Sequence, residues 1–219
     1  MKAFVITISG NTRSMQAAAR CQSSARMFDI EVERHEACTP ADKPADFLKG
    51  RGISPDNFDE VYSRHQNCMA AFSSHFSLWE RCAISDEEFL ILEHDAYFVN
   101  GIPKNLNYLH VMTVGKPSYG NFQTPSMIGV NPLTHKRYFG GAHAYLVKPS
   151  GAWNLIETAQ RGYAKPTDVF LCKEHFPWLQ EYYPWPVEAR DNFSTIQNMN
   201  GCVAKHQFNR ETYRLENVG

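Results

Sequence analysis

The sequence predicts an α/β protein built around a Rossmann-like sheet, on three observations. Residues 2–8 form an apolar, β-branched run that Ser9-Gly10-Asn11 breaks, which reads as a buried first strand and a turn. An alanine-rich stretch over 14–27 reads as a helix, and Ile30-Glu31-Val32-Glu33 then alternates like a half-buried second strand. Further on, the short apolar run Phe89-Leu90-Ile91-Leu92 ends abruptly in Glu93-His94-Asp95, acids at the strand end where open α/β sheets hold their ligands.

The remaining elements follow in order. Residues 39–58 carry Pro40, Pro44, Pro55, Gly50 and Gly52 and read as a loop region. Tyr62, His65, Met69, Phe72, Phe76 and Trp79 recur at three- and four-residue steps, the longest helical pattern in the chain. Residues 109–114 read as a strand, and 115–136, rich in Gly, Pro, Ser and Asn, as irregular chain suited to a substrate loop. Gly140 and Gly141 lead into a strand over 144–147. Pro149 and Ser150 open a helix through Thr158, and Pro166-Thr167-Asp168 opens a short one. From Phe176 onward the chain is dense in aromatic residues and proline. The length suits one domain over 1–219, with 176–219 read as an aromatic-rich extension on the acceptor side.

Composition narrows the function classes. Hydrophobic residues make up 43% of the chain and aromatics 13%, enough for a real core. With 22 basic and 23 acidic residues the net charge is −1, which disfavours a nucleic acid as partner, because phosphate contacts call for a basic excess. The six cysteines are scattered without zinc-type spacing, so they read as small buried hydrophobes in a reducing cytosol. The apolar run at the N-terminus is too short for a signal segment, and no stretch reaches membrane-spanning length. A cytoplasmic protein is expected, with work at a membrane surface left open.

Glu93 and Asp95 carry the strongest chemical signal. Two carboxylates one residue apart past a buried strand point to the same side of extended chain. Phosphate-bound Mg²⁺ or Mn²⁺ takes such hard oxygen ligands; the opposing reading is a turn with two solvated acids. Asp168, at a helix start, is either an N-cap or a general base for a hydroxyl. Ser9 and Arg13 follow the first strand, where a nucleotide docks, although Arg13 also suits a solvated helix start. Gly140 and Gly141 permit close backbone approach to a ligand. His75 reads as a satisfied core histidine, and Tyr145, near His143, as a packing residue. The aromatic run from Trp178 to Trp185 reads as core before it reads as a stacking surface.

The segment Ser74-His75-Phe76-Ser77-Leu78-Trp79, preceded by Cys68 and followed by Phe89-Leu90-Ile91-Leu92-Glu93-His94-Asp95-Ala96, resembles glycosyltransferase family 25. That family contains lipooligosaccharide and procollagen galactosyltransferases. Its pattern is a helix carrying Ser-His and a nearby Trp, then an apolar strand ending in Glu-Asp-Asp. Three further stretches fit in order: the first strand with Arg13 after it; Gly141-Ala142-His143-Ala144-Tyr145-Leu146-Val147 with Gly151-Ala152; and Pro166-Thr167-Asp168-Val169-Phe170-Leu171. The one departure that matters is His94, which stands at the middle acidic position and either ligates a metal or weakens its binding.

The resemblance implies a GT-A fold, a Rossmann-like mixed central sheet flanked by helices. It also implies a metal-dependent inverting transferase that moves galactose or glucose from a UDP-sugar to a hydroxyl of a glycan, lipid-linked or protein acceptor. On this reading Glu93, Asp95 and, by its late position, His206 hold Mn²⁺ or Mg²⁺. Ser9, Arg13, Glu93 and Gly141 bind the donor, and Asp168 is the catalytic base. Two other readings stand beside it: transfer to a hydroxylated DNA base, and a nucleotide-sugar-binding module without catalysis.

Overall fold

The computed structural model describes Met1–Val218; Gly219, the end of the expected single domain, lies outside the described residues. The chain opens with β1 (Lys2–Thr7), α1 (Thr12–Arg26), β2 (Glu33–Glu36), α2 (Pro44–Lys49) and the long α3 (His65–Ala83). Then come β3 (Phe89–Glu93), β4 (Ala96–Phe98), β5 (Val111–Thr113), β6 (Gly129–Pro132), β7 (Ala144–Val147), α4 (Pro149–Thr158) and α5 (Thr167–Phe170). The C-terminal part supplies β8 (Gln180–Tyr183), β9 (Val187–Ala189), β10 (Phe193–Ser194), α6 (Met199–Val203) and β11 (Arg214–Leu215).

A seven-stranded mixed sheet in the order β2-β1-β3-β7-β5-β8-β6 forms the centre. Strands β2, β1 and β3 run parallel, β7 is antiparallel to both β3 and β5, and β8 is parallel to β5 and antiparallel to β6. Side chains alternate across the sheet as strand geometry requires. Phe4, Ile6, Phe89, Ile91, Tyr145 and Val147 pack with residues of α2, α3 and α4 on one face. Ala3, Val5, Leu90, Leu92, Ala144 and Leu146 pack with Ala18, Cys21 and Ala25 of α1 on the other. The fold is thus the expected α/β sheet between helices. Asn11 starts α1 by accepting a hydrogen bond from the Ser14 amide (2.9 Å).

The second strand sits three residues later than the sequence suggests. Ile30 and Val32 are buried anchors ahead of the ladder, which pairs Phe4 with Glu33 and Thr7 with Glu36. As the edge of the sheet, β2 carries Glu33, Arg34 and Glu36, charges that discourage pairing with another chain. Residues 115–136, expected to be irregular, contain β6, and 176–219 is no appendage: β8 lies inside the central sheet between β5 and β6, and β9 pairs with β4. All six cysteines are unpaired, and no helix among the described residues is long and apolar enough to cross a membrane.

Glu181 explains how β8 can be central without an apolar pattern. Its carboxylate is fully buried and accepts from the Thr134 amide (2.5 Å) and hydroxyl (2.8 Å), the His135 amide (2.9 Å) and Nδ1 (2.8 Å), and Trp185 Nε1 (3.2 Å). Burial pushes the acid up, but these donors, His135 first, outweigh it and hold it below the ordinary range. A carboxyl depressed in the folded state stabilises above its unfolded pKa of about 4.3 and loses that contribution as pH falls through the folded value. Urea midpoints of the wild type are therefore expected to fall below about pH 4, and Glu181→Gln to fall off less steeply across that window. Identical slopes for both proteins would show that Glu181 is not held as a carboxylate.

Candidate functional site

The C-terminal ends of β1, β2 and β3 open onto three contiguous cavities. The first, about 640 Å³, lies over the ends of β1 and β2 and is lined by Gly10, Asn11, Glu36, Cys38, Thr39 and Ser77 among others. It shares Ile8, Ala37, Cys38 and Ser74 with the second, which holds Glu93, His94 and Asp95. The second in turn shares Glu93, Asp95, Ser194, Ile196 and Lys205 with a third, which reaches Tyr119, Gly141, His143 and Asp168. The first cavity alone is large enough for a small-molecule ligand, since such pockets run to roughly 300–1,000 Å³.

A directional hydrogen-bond relay sets Glu93. Trp79 Nε1–H donates to the Tyr145 hydroxyl (2.8 Å), and that hydroxyl meets His75 Nδ1 (2.9 Å). The tyrosine proton makes Nδ1 the acceptor, so the proton on His75 Nε2 is the one aimed at Glu93 Oε1 (3.2 Å). All three donors are buried, on α3 and β7. Burial pushes the Glu93 carboxyl up, but the bond from His75 and the imidazoles of His75, His143 and His94 hold it below the usual carboxylate range.

His94 is fixed in the same way from the opposite side. The Ile8 amide donates to Ser14 Oγ (2.9 Å), and Ser14 is fully buried, so its hydroxyl proton goes to His94 Nδ1 (3.0 Å). The ring proton is thereby left on Nε2, a donor and not a metal ligand. The ring stacks on Phe193 (5.2 Å between centroids), and burial first, then Lys205 and Arg20, outweigh the acids and lower its pKa.

Asp95 carries one oxygen facing Lys205 Nζ at 3.9 Å and another, Oδ1, buried without a partner. Burial works against the Lys205 ammonium, yet Asp95 above all, then Tyr213 and Glu93, lift its pKa to about 12. Nearby Asp191 is paired with Arg20 (2.8 Å), and burial, with Asp95 behind it, raises that acid to about 7.

Asp168 lies within the first turn of α5 and is not the residue before the helix, which is Pro166. One carboxylate oxygen accepts from the Val169 amide (2.9 Å) and the other from the Tyr119 hydroxyl. Burial raises its pKa, Glu93 adds to the rise, and the Tyr119 bond opposes it. Across the same cavity His143 is buried with neither ring nitrogen hydrogen-bonded. Two glycines make room for that ring: a Cβ at Gly115 would stand 2.5 Å from His143 Nε2, and one at Gly141 2.9 Å from Nδ1. Gly141 also has φ of +117°, which other residues rarely adopt.

The groove therefore assembles Glu93, Asp95, Gly141 and Asp168 from the residues singled out in the sequence, places His206 in an adjoining cavity, and leaves Ser9 and Arg13 outside. Ser9 does not line the groove; its backbone amide (3.1 Å) and its hydroxyl both bond to Glu36, which does. Arg13 pairs with Glu216 (3.2 Å) and lines a separate surface cavity with Arg20 and Arg214. His206 lines a cavity with Asp95, Asp191 and Lys205, and its Nε2 lies 2.7 Å from the Gly120 carbonyl. As they stand, the expected donors Glu93, Asp95 and His206 are not close enough together to share one ion. Among the described residues, the one trio of Cys, His and acid groups close enough to share an ion is Cys172, Glu174 and His175, away from the groove.

Lys205, Tyr119, Glu36 and the segment 194–196 were not singled out in the sequence. Glu36 had a usable signal, an acid closing the second strand; Lys205 had none. No protein-family model and no curated protein matches the chain.

Proposed function

We propose that the chain is a GT-A-type glycosyltransferase that moves a hexose from a nucleotide-sugar to a hydroxyl acceptor. The observation that carries this reading is the continuity of the groove from the ends of β1 and β2, past Glu93 and Asp95, to Asp168. The nucleoside occupies the first cavity, with Glu36 accepting from ribose hydroxyls as an acid at the end of a second strand does. The diphosphate lies in the second cavity against donors, His94 Nε2–H and Lys205. The hexose and the acceptor meet in the third.

The acceptor oxygen attacks the anomeric carbon from the face opposite the diphosphate. The bond from that carbon to the diphosphate oxygen breaks, its electron pair leaves with the phosphate, and the acceptor proton passes to Asp168. One displacement of this kind inverts the anomeric centre. The collinear motifs of family 25 support the same assignment and favour galactose or glucose on UDP. A glycan, lipid-linked or protein hydroxyl suits the near-neutral surface charge better than DNA does.

The test is a thermal-shift panel of nucleoside diphosphates and UDP-sugars, each in EDTA and in Mn²⁺. A ligand present at about 100 times its Kd adds about 2.7 kcal/mol to the native state, a rise of roughly 5–10 °C in a chain of this size. UDP or one UDP-sugar is expected to give that shift. No shift with any nucleotide in either buffer would sink the reading, and binding without transfer to any hydroxyl acceptor would favour the non-catalytic module.

A further inference from the structure

We propose that Lys205 is the built-in cation of the groove, standing where a divalent metal would otherwise bridge the carboxylates and the donor diphosphate, so that nucleotide binding needs no metal. This rests on the nucleotide-sugar reading and deepens it. Lys205 Nζ lies 3.9 Å from Asp95 Oδ2, with 19% and 11% of the two side chains exposed, and both residues wall the second and third cavities. It is not a waving surface lysine. Its backbone is bridged to Tyr119, and on either side the His206 amide donates to the Ser118 carbonyl (3.0 Å) and the Gly120 amide to the Ala204 carbonyl (3.3 Å).

Each acid around this point already has an organic partner: Glu93 has His75 at 3.2 Å, Asp191 has Arg20 at 2.8 Å, and Asp95 has Lys205. An ion entering beside Asp95 would meet the ammonium as a like charge and would have to displace it. The position where a third acid would strengthen a metal site carries His94, whose free nitrogen is a donor. One oxygen of Asp95 and both ring nitrogens of His143 are buried without a hydrogen-bond partner beside this point. In the transfer step the bond between anomeric carbon and diphosphate oxygen breaks, the pair stays on that oxygen, and the Lys205 N–H bonds to the charge that develops there.

Calorimetric titration with UDP, in EDTA and in Mn²⁺, of the wild type, Lys205→Met and Lys205→Arg tests this. The wild type is expected to bind UDP within about twofold of the same Kd in both buffers. In EDTA, K205M is expected to lose about 10- to 100-fold, the range for removing a hydrogen bond to a charged group, and K205R to keep most of the affinity. Binding that EDTA abolishes and Mn²⁺ restores in the wild type would overturn the proposal, as would unchanged binding by a K205M protein whose circular dichroism and melting match the wild type. If no nucleotide binds the wild type in either buffer, the transferase reading itself fails. Mn²⁺ titration followed by electron paramagnetic resonance then still decides the role of Lys205: free Mn²⁺ with the wild type and bound Mn²⁺ with K205M is expected, and Mn²⁺ bound by the wild type overturns it.

Discussion

Replacing Asp168 with asparagine is expected to cut the turnover of hexose transfer about 10²- to 10⁴-fold, the range for loss of a general base, and to leave UDP affinity within about twofold. The asymmetry follows from the groove, because Asp168 lines the third cavity and neither the first nor the second, where the proposed reading puts the nucleoside and diphosphate. Asparagine keeps the shape and can still accept from the Val169 amide through its carbonyl oxygen while its amide nitrogen faces the Tyr119 oxygen, but it cannot take a proton. The pH profile gives the second readout. A base acts only when deprotonated, so kcat/KM rises with pH through its pKa. Burial raises that value for Asp168, so the acid limb should stand above the ordinary aspartate range. Tyr119→Phe removes the bond that lowers it and should carry the limb higher still, whereas D168N should abolish the limb. Full-rate transfer by D168N would show that another group takes the proton.

The parts of the fold that could be read from the sequence are those whose burial follows a simple period. The apolar runs of β1 and β3, the three-and-four spacing of Met69, Phe72, Phe76 and Trp79 along α3, and the Pro149 start of α4 all stand where the residues place them, while Tyr62, read as the start of that spacing, precedes the helix and is exposed. β8 could not be read, because Gln180-Glu181-Tyr182-Tyr183 has no apolar alternation, and its central acid is buried only by virtue of donors on Thr134, His135 and Trp185. The groove divides similarly. Glu93 and Asp95 were visible because they end a buried strand, and Gly141 because paired glycines mark close approach. Arg13 was carried by a family pattern and His206 only by its late position, and here their side chains turn to Glu216 and Gly120. Lys205 is a single lysine far along the chain from β3. Only the pairing of its backbone with Tyr119 brings it beside Asp95, and nothing local in sequence encodes that contact.

The same dependence on long-range partners makes Tyr145→Phe informative, since it deletes one oxygen and leaves the packing of the ring. That oxygen joins Trp79 to His75, and both are buried on α3. Without it the indole N–H and His75 Nδ1 each lose a partner where no water reaches. At about 1–3 kcal/mol for each unsatisfied buried group, the loss in unfolding free energy should be about 2–6 kcal/mol, or roughly 4–24 °C in melting temperature. A packed tyrosine whose hydroxyl did nothing would cost under about 0.5 kcal/mol, within the ordinary spread for neutral changes. The effect should also reach the ligand. His75 freed at Nδ1 no longer has a fixed tautomer, so its Nε2 proton is not committed to Glu93, and UDP affinity should fall together with stability. A double-mutant cycle with His75→Gln separates relay from packing: residues joined in one chain should show a coupling of about 1 kcal/mol or more in both stability and UDP binding. Additive losses would mean that Tyr145 and His75 act separately and that Glu93 is oriented by something else.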